Sequence, residues 1–416
     1  MDFKHYVIIG AGQAGCNAAK ALRLGDPDSA ITLIGEESHN PYERPHLSKG
    51  ILSGTVQKEQ LLVVNPDYFK DNRIQFRRSS SVESIDPRAR KVSLANGEQF
   101  SYSRLLLTTG SRARQLRIPG GNLAGVHYLR TLDQAQALHD HLATASHLVI
   151  VGAGFIGLEV ASIAKEYKNC TVTVVETGDT VLQRGVPVEM REQIHQLHQS
   201  HGVNFRFGKS VVSFLGDGHV AKVECQDGVT LVADCVVVGI GVEPRTELAR
   251  DAGLAVQNGI VVNQYCETST ADIYAAGDVT SHWNVQLDRF IRLESWQTAQ
   301  MQSVCAAQNM IGAPTSYDQI PWFWTDQYGV NIQLVGVIES GQKVVRRSYG
   351  NNHFIYFYFT EDKLCGAFGF NAGKYIRATQ KLLEKGISPD PDFLANPEND
   401  LRRLVKSGSK TNSKVE

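Results

Sequence analysis

Tyr6–Gly15, read YVIIGAGQAG, runs four strand-forming residues into Gly10-x-Gly12-x-x-Gly15, and an Ala-rich helical pattern follows through Leu22. This order describes a buried parallel strand, a tight turn, and a helix whose free N-terminal N–H groups face a pyrophosphate. Gly10 permits the turn, Gly12 lets a phosphate approach the backbone, and Gly15 lets helix and strand pack closely. Glycine-rich turns are common, so the pattern alone is weak. Here the strand precedes it, the helix follows it, and ITLIGEE brings Glu36 to the place, roughly 20 residues on, where an acid meets a ribose.

The same arrangement returns at His147–Gly157, HLVIVGAGFIG, with Gly152, Gly154 and Gly157 and the intervening Phe155 and Ile156. TVTVVE then supplies a second acid, Glu176, so two dinucleotides are expected. RLLLTTGSRARQL is a buried strand ending at Thr109 and Gly110, where a nucleotide-binding sheet presents backbone to its ligand; Gly239, Ile240 and Gly241 of GIGVEPRTEL hold the matching place in the second half. The two halves share an order of elements, which favours one fold used twice. For the second nucleotide Glu176 favours NADH over NADPH, because a carboxylate accepts from a free ribose 2′-OH and repels a 2′-phosphate. Thr177, Gly178 and Asp179 add no cation, and Arg184 lies further along.

Between these landmarks, SHNPYERPHLSKG carries two prolines and cannot be regular helix. Asp67–Asn72 reads as a short helix, and Ile74–Phe76, Val82–Ile85 and Lys91–Leu94 as antiparallel strands, with Asn96-Gly97 as a hairpin turn. Ile118–Gly121 begins a linker, Leu132–Leu142 is an amphipathic helix, and further helices are expected over Ile156–Tyr167, about Pro187 to His201, and Glu294–Ile311. Val203–Leu231 reads as hairpin strands, turning at Asp227-Gly228. After Pro321 the pattern changes to PWFWTDQY, three stretches (Asn331–Val337, Val344–Tyr349, Phe354–Phe359) and a helix Ala372–Glu384, which predict a third, antiparallel domain. The closing SGSKTNSKVE lacks apolar residues and reads as a disordered tail.

The 416 residues exceed what one hydrophobic core serves, so two or three domains are expected. A formal charge of −1 gives no general attraction to nucleic acid or to an anionic membrane. MDFKHYVIIG has no leader pattern, and no run approaches the roughly 18 apolar residues of a membrane span; a cytoplasmic location is the expectation. Seven cysteines are scattered without a C-x-x-C, so they read as small buried hydrophobes and no metal site is expected.

YVIIGAGQAG, PYERPHLSK, LLLTTG, YLRTL, LVIVGAGFIGLEVA, VTVVE, VVGIGVEP, IYAAGD, ESWQTAQ and PWFWTDQY, in that order, resemble the FAD- and NADH-dependent ferredoxin reductases of bacterial oxygenase systems. These belong to the disulfide-reductase-like flavoproteins, and the resemblance covers roughly residues 3–405. It implies an α/β fold with an FAD domain in two pieces (1–113 and 244–319), an inserted NADH domain (114–243), a C-terminal α+β interface domain (320–405) and a tail (406–416). It also implies Ala14 in the FAD pyrophosphate loop, Glu36 on the adenosine ribose and Asp278 on the ribityl and phosphate portion. Lys49, Val82, Arg130 and Trp296 fall on flavin-contact positions, and Arg44, in the same loop as Lys49, is a further candidate.

By the same resemblance Glu159, in the first turn of the second fingerprint helix, pairs with Lys49 near the flavin N5 and orients the nicotinamide amide. The bland alternative is that Glu159 favours its helix N-terminus while Lys49 is a solvated loop lysine. Trp324 falls where the family places an aromatic beside the flavin on the partner side, and Trp322 reads as packing. Disulfide reductases of the superfamily carry a cysteine pair after the first acid, and oxidases and coenzyme A disulfide reductases keep one cysteine there; this sequence has none between Cys16 and Cys170. Electrons are therefore expected to leave the flavin directly, singly, for a [2Fe–2S] ferredoxin, with the aromatic-hydrocarbon dioxygenase branch ahead of the P450 branch. Arg402, Arg403 and Lys406 are candidates for a basic docking patch. The alternatives are a rubredoxin reductase, an NADH oxidase, or a signalling flavoprotein resembling apoptosis-inducing factor; monomer and homodimer stay open.

Overall fold

The computed structural model describes residues 4–168, 170–183, 185–284, 287–339 and 341–407. Arg184, the side chain of Lys406, and the expected tail beyond residue 407 lie outside the described residues. The chain divides into two compact units, one of residues up to 46, 56–113 and 242–319, the other of 47–55, 114–241 and 320 onward.

In the first unit, strand His5–Ile9 lies between Ala30–Ile34 and Arg104–Leu107, with Ile74–Arg77 and Ile273–Ala275 outermost, all parallel. A parallel sheet is covered on both faces, which is why its strands read as continuous apolar runs. Tyr6 and Ile8 pack with Cys16, Ala19 and Leu22 of helix Gln13–Gly25 and with Cys305, Ala306 and Met310 of helix Trp296–Ile311. Val7 and Ile9 face the opposite way, against Val92, Phe100 and Ile260. Ile74–Phe76 departs from the antiparallel expectation: it pairs in parallel with Ala30–Ile34, Ile31 opposite Ile74. Residues 35–73 provide the long crossover that a parallel neighbour requires. Val82–Asp86, Lys91–Leu94 and Gln99–Ser101 make the antiparallel ribbon.

The second unit repeats the plan. Strand His147–Val151 lies between Thr171–Val175 and Cys235–Val238, with Asn204–Arg206 and Val126–His127 outermost, again all parallel. Asn204–Arg206 thus belongs to this sheet and not to the predicted hairpin strands, which are Val211–Leu215, Lys222–Cys225 and Thr230–Val232. The repeats differ in one strand. Ile273–Ala275 comes from later in the chain, whereas its counterpart Val126–His127 precedes the fingerprint.

The same unit contains a five-stranded antiparallel sheet ordered Trp322–Gln327, Val330–Gly336, Lys363–Phe370, Phe354–Thr360, Lys343–Ser348. Its central strand Lys363–Phe370 escaped the sequence reading because interior glycines argue against a strand. Here one is required: a Cβ on Gly366 would stand 2.6 Å from the Val335 carbonyl oxygen. Helix Gly373–Glu384 covers the sheet, Ile376 and Leu382 packing with Phe357 and Phe359. Among the described residues no helix is long and apolar enough to cross a membrane.

Candidate functional site

In the first unit the three fingerprint glycines have separate physical roles. Gly10 has φ +108°, and a Cβ there would lie 2.2 Å from the Thr108 carbonyl oxygen, so the turn presses against the end of the neighbouring strand. A Cβ on Gly15 would lie 1.9 Å from the Gly10 carbonyl oxygen, which sets how closely helix and turn pack. Gly12 is different: a Cβ there meets nothing within 4 Å. No steric demand of the protein selects glycine at Gly12, the helix N-cap, and the open space in front of it fits a pyrophosphate approaching the exposed N–H groups. Ala14 is buried in the first turn of that helix.

Around this loop, Thr108 Oγ1 donates to the Gly10 carbonyl at 2.8 Å, and Thr109 Oγ1 donates to the Arg245 carbonyl at 2.7 Å. Gly110 takes φ +65° as the strand turns away. Glu36 is exposed and ion-paired with Arg245, a residue that sequence reasoning missed although GVEPRTEL contains it. Arg44 lies 2.6 Å from Glu37, and the Tyr42 hydroxyl donates to the same carboxylate. Burial by itself lowers the Arg44 guanidinium's affinity for its proton, but Tyr42, Glu37 and Asp278 reverse the sign and hold it above its ordinary value. Asp278 accepts from the Ser111 hydroxyl at 3.1 Å. Its turn is fixed by Gln302, whose side-chain oxygen accepts from the Gly277 N–H at 2.8 Å and the Thr280 hydroxyl at 3.0 Å. Val82 opens its strand and Trp296 opens the helix capped by Ser295.

The second fingerprint repeats the geometry. Gly152 has φ +102°, and its Cβ would lie 2.6 Å from the Gly239 carbonyl oxygen; one on Gly157 would lie 2.5 Å from the Gly152 carbonyl oxygen. Gly241 turns the following segment at φ +95°. Ile156 and Ile240 are exposed beside the loop. Glu176 is gripped by the loop itself, accepting from the Ala153 N–H at 2.7 Å and the Gly178 N–H at 2.8 Å. The next strand, Asn204–Arg206, and the turn after it add two cations that sequence spacing did not reveal: Glu176 N–H bonds the Arg206 carbonyl, and both Arg206 and Lys209 pair with Asp227, at 2.9 and 3.2 Å. Two glycine cradles, each with an acid at its side, fit two adenine dinucleotides.

Lys49 and Glu159 meet in this unit, Nζ to Oε1 at 2.7 Å. Glu159 is 3 % exposed and lies in the second turn of helix Phe155–Tyr167, not the first, so a simple helix-terminus role does not account for it. Ser48 and Thr325 donate to the same carboxylate, Thr325 at 2.6 Å. Neither was expected: Ser48 reaches helix Phe155–Tyr167 from the turn before helix Gly50–Ser53, and Thr325 from a strand of the antiparallel sheet. Phe155, Glu159 and Ser162 share a helix face, and alternate residues of Trp322–Gln327 share a strand face. Phe323 accordingly packs on Phe155 (ring centroids 4.4 Å), Thr325 bonds Glu159, and the N–H of Tyr328 bonds Ser162. From Thr325 the chain of bonds continues to Gln327 (3.0 Å), His198 (2.7 Å) and the Tyr328 hydroxyl (3.1 Å). Trp324 points the other way and stacks on Trp322, centroids 4.9 Å apart. Arg130 stands just before the capping box of Thr131 and Gln134 that starts helix Leu132–Leu142. Of the expected docking residues, Arg402 is already bonded to Asp400 at 3.0 Å.

The family model described as pyridine nucleotide-disulphide oxidoreductase matches residues 4–303, and the reductase C-terminal model matches residues 322–405. The chain is 39% identical over 413 residues to the anthranilate 1,2-dioxygenase system ferredoxin–NAD(+) reductase component of Burkholderia cepacia, covering 97% of this chain and 100% of that one. It is also 39% identical to rhodocoxin reductase of Rhodococcus erythropolis, over 96% of this chain and 94% of that one. The solved ferredoxin reductase for the CYP199A2 system of Rhodopseudomonas palustris superposes with a TM-score of 0.93 at 36% identity, covering 97% of this chain and 100% of that one. The chain thus belongs to the pyridine nucleotide-disulphide oxidoreductase family, within its FAD- and NADH-dependent ferredoxin reductases.

Proposed function

We propose that the chain oxidises NADH and delivers electrons one at a time to a [2Fe–2S] ferredoxin that feeds an oxygenase. The observation that carries this reading is the doubled nucleotide cradle in a chain with no cysteine between Cys16 and Cys170, Cys16 itself being fully buried in the core beneath its helix. No protein thiol is placed to accept what the cofactor releases. Bound FAD supplies the exchange between a two-electron donor and one-electron acceptors.

The chain's own residues bind, orient and tune. Gly10, Gly12, Ala14, Gly15, Glu36, Arg44, Val82, Thr109, Gly110, Asp278 and Trp296 serve FAD, and so does Arg130. Gly152, Gly154, Phe155, Ile156, Gly157, Glu176, Gly239, Ile240 and Gly241 serve NADH. Lys49 supplies positive charge to an electron-rich cofactor, and Glu159 holds that lysine in one place, being itself fixed by Ser48 and Thr325. Trp324 serves electron exit. In this reading residues 1–113 and 244–319 form the FAD domain, 114–243 the NADH domain and 320–405 the domain that meets the ferredoxin, in the cytoplasm. The relatives named as components of dioxygenase systems, the anthranilate 1,2-dioxygenase component among them, support the dioxygenase branch, while the solved reductase for the CYP199A2 system represents the alternative.

Anaerobic reduction with NADH, followed by mixing with a [2Fe–2S] ferredoxin, a rubredoxin and cytochrome c, tests the reading. Cytochrome reduction is expected to be slow until the ferredoxin is added. Fast reduction without any iron–sulfur carrier sinks the proposal.

A further inference from the structure

The second unit gathers three imidazoles and a thiol that the nucleotide chemistry does not use. His127 ends the edge strand Val126–His127, His141 lies in the last turn of helix Leu132–Leu142, and Cys235 opens strand Cys235–Val238. Register explains part of the meeting. Val237 is paired with His127, so Cys235, two residues earlier on the same face, projects to the side that His127 occupies. One ligand atom from each of His127, His141 and Cys235 lies within 4.8 Å of the other two. His127 Nε2 and His141 Nδ1 are 2.7 Å apart, and the His219 ring stands edge-on to His141 with centroids 5.2 Å apart.

We propose that His127, His141 and Cys235 form a three-ligand binding site for a thiophilic divalent cation, Zn²⁺. The donor set selects the ion. Two imidazoles and a thiolate suit zinc, whereas Mg²⁺ and Ca²⁺ require oxygen. The neighbouring carboxylate of Asp234 is occupied by the backbone N–H groups of Ser146 and His147 at 3.0 Å each. Tetrahedral zinc with Zn–N near 2.0 Å sets ligand nitrogens about 3.3 Å apart, so the imidazole pair opens by roughly half an ångström to admit it.

The protons balance. Without the ion, one of the two imidazoles donates its N–H to the other; on binding, that proton moves to the donor ring's second nitrogen. The Cys235 thiol gives its proton to solvent, so a single proton is released for each ion, and no electron moves. Cys235 begins the strand whose far end leads into Gly239–Gly241, so the site lies at the opposite end of that strand from the nucleotide loop. The ion ties an edge strand and a helix to the sheet, a structural role separate from hydride transfer.

The test uses the full, tag-free chain with FAD bound, stripped with a chelator. Zn²⁺ is titrated by calorimetry in buffers of different ionisation enthalpy, and Co²⁺ serves as an optical probe. Saturation at one ion per chain, release of a single proton, and a near-ultraviolet thiolate-to-cobalt band are expected. Cys235→Ser should abolish the band. Because Cys235 is fully buried and its replacement can disturb the core, His127→Gln is the independent variant, expected to weaken zinc binding by more than roughly tenfold. Absence of saturable zinc binding, a cobalt spectrum without the thiolate band, or unchanged affinity in His127→Gln each overturns the proposal.

Discussion

Glu159 is a carboxylate withdrawn almost wholly from water, and three donors share it: Lys49, Ser48 and Thr325. Removing one partner of a buried ion pair typically costs about 3–5 kcal/mol. Glu159→Ala is therefore expected to destabilise the protein by an amount of this order in chemical denaturation. Glu159→Gln should cost less, because its amide oxygen can still accept from Thr325. A second residue-scale expectation concerns His198, which burial holds at about 4 against an ordinary value near 6.5. The unfolded chain binds this proton more readily than the folded one, so the contribution to stability is intact above about pH 6.5 and falls as pH drops towards 4. Denaturation midpoints measured across that window should decline, and His198→Gln should decline less steeply.

At the scale of elements, the fingerprint loop separates what the fold needs from what the ligand needs. A Cβ on Gly15 would collide with the backbone of Gly10, whereas one on Gly12 would collide with no protein atom. Gly15→Ala is thus expected to destabilise the fold itself by about 1–3 kcal/mol, the usual cost of overpacking. Gly12→Ala should leave the melting transition of the FAD-free chain unchanged while weakening FAD retention; equal FAD affinity in this variant would mean that no phosphate approaches there. The glycines, the acids and most helices were legible in the sequence because each is a local pattern of a few residues. Lys363–Phe370 was not, since its glycines answer to the backbone of a neighbouring strand. Ile74–Phe76 was legible as a strand but not in its direction, which a crossover decides.

At the scale of the whole molecule, the choice of nucleotide rests on charges delivered by several segments. Glu176 comes from the fingerprint half, while Arg206, Lys209 and Asp227 come from the chain after the long helix, and Asp227 engages both cations. Releasing those cations and removing the acid should favour a 2′-phosphate. Glu176→Ala combined with Asp227→Ala is expected to shift the ratio of kcat/KM for NADPH over NADH upward by at least about tenfold, or roughly 1.4 kcal/mol. Steady-state kinetics with both nucleotides checks this, and FAD content should not change; loss of FAD would mean that the two cradles are assigned in reverse.

The sequence by itself determined that this chain has two nucleotide cradles and no redox thiol beside the first. Those properties reside in spacings of a few residues and in the absence of a cysteine. Only the tertiary structure decided what surrounds them. Ser48 and Glu159 are 111 positions apart, Thr325 and Glu159 166, and Arg245 and Glu36 209. His127, His141 and Cys235 meet by the same means, although seven scattered cysteines gave no sign of a metal site. The physical reason is that register and crossover, which no local pattern encodes, fix which distant side chains share a face.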